Sequence, residues 1–512
     1  MKIGLIHVFY TYDKEKNMRP FPFGIGYIAS YIMQKGHRVE ILDLNTTYLK
    51  KQEIIPALKK MNCDIFGISS LSGGYTYTKN LIDIIKQYLG TPVIVGGPLA
   101  THSAEIVLKN TKADICVIGL GEETTYGIME NLQDLKDVPG IFYKTKTGQI
   151  IKNEPAPLAS LDKLPWPAYE IMSMEDYIWC GASPDMDSKR KFKKGMRIGQ
   201  MITGRGCPMG CNFCSKVMGR HFMLRSIDNL IEEIKYLIKT HKINGISFRD
   251  ELYLVDKKRA YELASRLKSL NIIWMGQARV DKVDYELVKH MKKCGCTSLG
   301  FGIESGSLKM LKLMNKGQTK EQIERAVKIC QKLDMDMKVQ LIMGYPGENR
   351  ETISETVGLF KRLGHPGRRF HLVTPLPGST LYEDVISKGI IKDEEQYLHA
   401  LSRRDSGFSK GLPLVNLTQF SDQELYKLKL DTESKMQQNY QAYLYKHPLI
   451  MIKYLRDKLL YHIDGRQLLF NPFLIIHKLA KKIGLLNDKQ RENIEQPQEQ
   501  KSSLKIEYFD IS

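Results

Sequence analysis

The chain has 512 residues, too many for one ordinary core, and its 42% hydrophobic and 26% charged residues are the balance of a globular protein. That composition excludes a fibrous, a wholly disordered or a small disulfide-stapled protein, and it predicts two or three domains. A formal charge of +19 permits an acidic partner such as RNA, anionic lipid or a phosphorylated metabolite, although scattered Lys on helix surfaces accounts for much of it.

The N-terminus runs Met1-Lys2-Ile3-Gly4-Leu5-Ile6-His7-Val8 and reaches Asp13 and Lys14 without a small-residue cleavage site, so it reads as a buried strand rather than a signal peptide. No apolar run has the length of a membrane span, and a cytoplasmic protein with reduced thiols is expected. Six of the nine cysteines, Cys63, Cys116, Cys180, Cys294, Cys296 and Cys330, sit on apolar segments and read as small buried hydrophobes.

From residue 1 to 140, short β-branched runs at 3–8, 39–42, 65–69, 93–95 and 115–118 alternate with helical patterns at 27–34, 77–88 and 104–109. The alternation predicts an α/β, doubly wound (Rossmann-like) parallel sheet with its ligand at the C-terminal strand ends. Three of those ends carry small or hydroxyl residues: Ser69-Ser70-Leu71-Ser72-Gly73-Gly74, Gly96-Gly97-Pro98 and Gly119-Leu120-Gly121-Glu122. Glycine lets backbone approach a bulky ligand closely, and three such loops at equivalent places predict one.

Residues 141–196 lose the rhythm and hold Pro155, Pro157, Pro165 and Pro167, the composition of a connector. Residues 197–390 resume it, with strands at 198–203, 245–248, 272–277, 298–303, 337–342 and 369–373 and helices at 227–240, 257–270, 285–293 and 320–333. Six units predict a partial (βα)6 barrel whose active site faces the strand C-termini.

Residues 391–512 read as mainly helical, ending in a polar stretch at 490–501 that is expected to fray. Two apolar stripes stand out there: Leu449, Ile452, Leu455, Leu459 and Ile463, then Phe473, Ile476, Leu479, Ala480 and Ile483. Lys446, Lys453, Arg456, Lys458, Lys478, Lys481 and Lys482 flank them. Packing on the barrel with Lys toward solvent is the first reading; peripheral contact with the inner face of a membrane, presenting a lipid-like substrate, is the second.

After the first barrel strand comes Gly204-Arg205-Gly206-Cys207-Pro208-Met209-Gly210-Cys211-Asn212-Phe213-Cys214. Three thiolates spaced Cys-x3-Cys-x2-Cys on one loop suit three irons of a cubane cluster and leave the fourth iron open. The alternative is a zinc knuckle, for which His221 is the close fourth ligand. Asp250, Glu251 and Glu304, read alone, are strand-end or capping groups, and Arg279 is an ion-pair partner for one of them.

The cysteine segment, with its aromatic Phe213, resembles the defining motif of the radical S-adenosylmethionine superfamily. Phe248-Arg249-Asp250-Glu251, Gly302-Ile303-Glu304-Ser305-Gly306, Gln340-Leu341-Ile342-Met343-Gly344-Tyr345-Pro346-Gly347-Glu348 and Pro375-Leu376-Pro377-Gly378-Ser379-Thr380-Leu381-Tyr382 follow in the order of that family's strand ends. The resemblance implies that Cys207, Cys211 and Cys214 hold a [4Fe-4S] cluster. It also implies that Phe213, Asp250, Glu251, Glu304, Ser305, Gln340 and Gly344 surround S-adenosylmethionine, which an electron from the cluster cleaves to a 5'-deoxyadenosyl radical.

The first domain is similar to the cobalamin-binding domain that precedes the barrel in one class of this family, through Gly96-Gly97-Pro98-Leu99-Ala100-Thr101, Gly119-Leu120-Gly121-Glu122-Glu123-Thr124 and the connector Leu161-Asp162-Lys163-Leu164-Pro165-Trp166-Pro167-Ala168. The similarity implies cobalamin contacts from Ser69, Ser70, Gly96, Gly97, Pro98, Gly119, Gly121 and Glu122. Asp-x-His-x-x-Gly is missing, so no histidine is expected to coordinate cobalt from below; Leu99 and Leu120 stand where relatives carry His and Glu.

These resemblances imply an enzyme that methylates an unactivated carbon of a small-molecule or lipid-like substrate, fed by a reductase or other low-potential electron donor. Ring formation or rearrangement without methyl transfer, and a cobalamin or iron-sulfur sensor or carrier without catalysis, are the alternatives. A tRNA methylthiotransferase has a second cluster whose cysteine pattern Cys63 and Cys116 do not supply, so nucleic acid is not an expected partner.

Overall fold

The computed structural model describes residues 1–8, 19–47, 49, 51–180, 195–367, 369–403 and 411–462. Asp13, Lys14, Ile463, the second apolar stripe at 473–483 and the stretch 490–501 lie outside them, as do the side chains of Arg456, Lys458 and Leu459.

Five parallel strands build the first sheet: β1 (Lys2–His7), β2 (Arg38–Asp43), β3 (Ile65–Ser69), β4 (Val93–Gly96) and β5 (Ile115–Val117), in the order β2-β1-β3-β4-β5. The central ones are buried on both faces, which is why they read as continuous apolar runs. Two more strands, β6 (Ile141–Lys144) and β7 (Ile150–Lys152), extend the sheet antiparallel beyond β5. This hairpin lies within the stretch expected to be connector and corrects that expectation. Its strands are only four and three residues long and each ends on a lysine, Lys144 and Lys152, too little for an apolar periodicity.

The second sheet begins with β8 (Trp179–Cys180), which is antiparallel to β9 (Arg197–Met201). A separate hairpin, β10 (Gly204–Gly206) and β11 (Phe222–Leu224), brackets the cysteine loop. The sheet continues with β12 (Gly245–Phe248), β13 (Ile273–Ala278), β14 (Cys296–Glu304), β15 (Asp336–Met343) and β16 (Phe370–Leu372), in the order β16-β15-β14-β13-β12-β9-β8. The six strands from β9 to β16 are parallel, as the partial barrel requires.

Strand periodicity sorts the two faces of this sheet. Leu299, Phe301 and Ile303 of β14 and Met337, Val339, Leu341 and Met343 of β15 are buried in the core beneath the helices. Gly300, Gly302, Lys338 and Gln340 alternate with them and line the other, more open face. The edge strand β16 is covered by the helix Asp422–Lys446, whose Glu433 accepts the Phe370 N–H at 2.7 Å and whose Lys429 is 2% exposed.

The two α/β units share one core. Tyr75, Leu99 and Leu108 from the first pack with Met310, Met314, Tyr345 and Leu381 from the second. Leu99 is fully buried there. Cys116, Cys294, Cys296 and Cys330 are buried as expected, whereas Cys63 is only half-buried; the Cys180 side chain lies outside the described residues.

Candidate active site at the junction of the two units

The cysteine loop hangs on backbone and amide bonds from the far side of the barrel. Asn212 N–H donates to the Met314 carbonyl (3.0 Å) and its side-chain amide to Leu313 O (3.0 Å). Asn315 donates to Gly210 O at 2.7 Å, Leu381 N–H to Asn212 O at 2.8 Å, and the Ser215 hydroxyl to Pro377 O at 2.7 Å. The end of the helix Leu308–Leu313 with the turn after it, and the closing loop after β16, thus fix where the three thiols stand.

Cys207, Cys211 and Cys214 are free and partly exposed. Burial pushes the Cys214 thiol up to about 11, and the nearby Cys211, Glu251 and Cys207 add to the rise. Among the described residues no three His, Cys, Asp or Glu side chains converge tightly enough to hold one metal ion, and His221 is exposed. The three thiols stand within electrostatic reach of one another on one loop, and three thiolates on one loop suit three irons of a multi-iron cluster.

Asp250, at the end of β12, is buried, and one carboxylate oxygen accepts from Thr203 N–H (2.7 Å), Thr203 O–H (2.8 Å) and Gly204 N–H (2.8 Å). Burial raises its pKa to about 6 against those hydrogen bonds. Its other oxygen is buried without a hydrogen-bond partner. Asp250 therefore braces the strand leading into the cysteines with one oxygen, while the second has unused capacity to accept a hydrogen bond. Glu251 is exposed beside Cys214 and Lys216.

Glu304 ends β14 with a left-handed backbone (φ 64°), is 6% exposed, and pairs with buried Lys316 at 2.8 Å. Burial works to lower the Lys316 pKa, but Glu304 and Cys211 outweigh it and hold it raised. The same ammonium lies 5.7 Å from the Phe213 ring centroid, so the cysteine loop and the β14 end meet around it. Arg279 pairs with Asp281 at 2.8 Å and donates to the Lys316 and Gly317 carbonyls, which makes it the support of this turn. Lys316 escaped sequence reading because Met314-Asn315-Lys316-Gly317 forms no motif.

The other expected residues divide. Gln340 is exposed on the open face of β15. Ser305 is buried, with its hydroxyl against Thr356 (3.2 Å) and accepting the Ser307 N–H, so it shapes the turn. Gly344 (φ 90°) donates its N–H to Glu348, whose carboxyl burial pushes up to about 7.

Across the junction, Ser69 and Ser70, Gly96 and Gly97, and Gly119 to Glu122 end β3, β4 and β5. Gly97 (φ 81°) packs so closely that a Cβ would lie 2.8 Å from the Ser70 carbonyl oxygen, and Pro98 starts the helix Gly97–Asn110. By contrast, Cβ positions at Gly96 and Gly119 open onto space, and Thr101 fixes the Gly119 N–H at 3.1 Å. A ledge of small residues facing open space fits a broad planar ligand such as a corrin. Glu122 is 3% exposed and its carboxylate meets Arg205 at 2.7 Å, a partner that sequence reading did not provide.

A cluster-binding half-barrel joined to a ligand-binding doubly wound domain defines a two-cofactor enzyme. The B12 binding domain family model matches residues 18–128 and that of the Radical SAM superfamily residues 201–360. The chain is 30% identical over 420 residues to an uncharacterized methyltransferase, PH0819, of Pyrococcus horikoshii, covering 80% of this chain and 85% of that protein. It is 26% identical to cytidylyl-2-hydroxyethylphosphonate methyltransferase of Streptomyces wedmorensis, covering 73% and 79%. The solved structure of OxsB, a cobalamin-dependent S-adenosylmethionine radical enzyme, superposes with a TM-score of 0.67 at 16% identity over 96% of this chain and 82% of that one. The chain belongs to the cobalamin-binding radical S-adenosylmethionine family, with a [4Fe-4S] cluster, S-adenosylmethionine and cobalamin as its cofactors.

Proposed function

We propose that this protein methylates an unactivated carbon of a small-molecule substrate. The observation that carries the reading is the shared core that sets the strand-end ledge of the first sheet against the cysteine loop of the second. When bound, the cluster supplies the electron that cleaves S-adenosylmethionine, and cobalamin supplies the route for the methyl group. The chain's own part is to hold the thiols through Asn212, Asn315 and Ser215, to offer Asp250 and the Glu304–Lys316 pair to the polar ends of S-adenosylmethionine, and to exclude water at the junction. Overall, one substrate C–H and two S-adenosylmethionine molecules, with two electrons from a reductase or other low-potential donor, give methylated product, 5'-deoxyadenosine, methionine and S-adenosylhomocysteine.

The test is anaerobic reconstitution with iron, sulfide and cobalamin, then reduction and mass spectrometry of the products from S-adenosylmethionine. Both 5'-deoxyadenosine and S-adenosylhomocysteine are expected. The first without the second points to ring formation or rearrangement, and neither, at verified cluster loading, points to a sensor or carrier.

A lipid-like substrate is favoured by one surface. Leu449 is 82% and Ile452 59% exposed on the helix Pro448–His462, which follows Lys446. No helix among the described residues is long and apolar enough to cross a membrane, so the contact would be peripheral. In flotation with anionic liposomes the full chain should rise and a chain truncated before Lys446 should not; equal behaviour removes this reading.

A further inference from the structure

We propose that the Glu122–Arg205 ion pair is the strut that sets the distance between the corrin ledge and the cluster, which makes both side chains positioning residues. Arg205 lies on β10, two positions before the first cluster cysteine, and Glu122 opens the helix Glu122–Glu130 directly after the third strand-end loop of the first domain. Their side chains are 13% and 4% exposed. The Arg205 guanidinium also lies over the Tyr27 ring, 4.5 Å from its centroid.

The pair is one end of a buried line of polar side chains. The Tyr27 hydroxyl accepts from Arg225 at 3.2 Å; Arg225 also donates to the Ile202 carbonyl at 3.1 Å and pairs with Glu233. Glu233 in turn accepts the Tyr169 hydroxyl. Glu122 and Tyr27 belong to the first unit, Arg205, Arg225 and Glu233 to the barrel, and Tyr169 to the connector between them. Every unit that must keep register contributes at least one member.

A buried ion pair gains little net stability over apolar side chains of the same volume, and the best-attested use of such pairs is to specify register. Register is what this junction needs. Domain interfaces within a chain ordinarily allow relative motion, whereas group transfer between two bound cofactors and a substrate tolerates little misplacement. A helix N-terminus favours a carboxylate only modestly; that of Glu122 is completed by Arg205, on the strand that leads into the cysteines.

The inference rests on the two-cofactor reading and not on the identity of the substrate. Its test uses full-length E122Q, R205K and the neutral double variant E122Q/R205M, each loaded with cluster and cobalamin. Iron, sulfide and cobalamin contents are measured first. Power saturation of the cob(II)alamin electron paramagnetic resonance signal, with the cluster oxidised and then reduced, follows.

Both cofactors should be retained, and the relaxation enhancement by the reduced cluster should change by roughly two-fold or more in E122Q and in the double variant, with R205K intermediate. If a single substitution prevents folding, the double variant, which leaves no lone buried charge, is read in its place. Unchanged enhancement at full loading overturns the proposal, because a merely stabilising pair would shift the melting temperature alone. Loss of cobalamin from E122Q at full cluster loading also overturns it and returns Glu122 to direct corrin contact. Absence of methyl transfer together with altered enhancement would sink the methylase reading and leave the strut standing.

Discussion

Alanine in place of Cys211 is expected to abolish formation of 5'-deoxyadenosine, a loss of roughly 10³-fold or more, while the protein stays folded. The second half of that expectation follows from what holds the loop. Its bonds to Met314, Leu313, Asn315, Leu381 and Pro377 use backbone groups and the side chains of Asn212, Asn315 and Ser215, and none uses a thiol. The three cysteines are partly exposed, so removing a sulfur opens no large core cavity. Iron and sulfide analysis after anaerobic reconstitution, beside a melting curve, separates loss of cluster from loss of fold. Cys207→Ala and Cys214→Ala should behave alike. A triple alanine variant with undiminished cleavage, or wild-type protein that binds one tetrahedral zinc at this loop, would remove the basis of the functional reading.

The architecture was legible wherever burial on both faces produced long apolar runs. The central strands β3, β4, β12 and β14 fall within two residues of their expected positions because each is buried on both faces or beneath helices. The hairpin β6–β7 was not legible: its strands lie at the sheet margin, carry lysines and bury little, and the prolines that follow are the stronger signal in that stretch. At the site, the cysteines could be read because the three thiols of the motif lie within eight residues. Lys316, Arg205 and Arg225 could not, because each acquires its meaning from a residue 12, 83 or 8 positions away in the chain that only the fold brings near. Arg205 carried one unexploited signal, a large cation held between two glycines immediately before the motif.

Lys316→Met should weaken S-adenosylmethionine binding by roughly ten-fold or more and destabilise the protein by about 3–5 kcal/mol, and the two effects should separate in a second variant. The stability loss comes from Glu304, which is left as a lone buried carboxylate on a left-handed backbone at the end of β14. Neutralising it as well, in Glu304→Gln/Lys316→Met, removes the uncompensated charge, so the melting temperature should recover most of its fall. Binding should not recover, because the pair and its reach to Cys211 and Phe213 are what the β14 end presents to the cluster loop. Gly302→Ala probes the same arrangement without touching a charge. A Cβ there would crowd Glu304 Oε1 and stand 3.0 Å from Lys316 Nζ, so the pair must shift and binding should fall with it. Isothermal titration with S-adenosylmethionine on anaerobically reconstituted protein, paired with thermal unfolding, gives both readouts. If the double variant regains affinity along with stability, Lys316 is only a counter-ion to Glu304, and the polar end of S-adenosylmethionine must be held from elsewhere on the barrel.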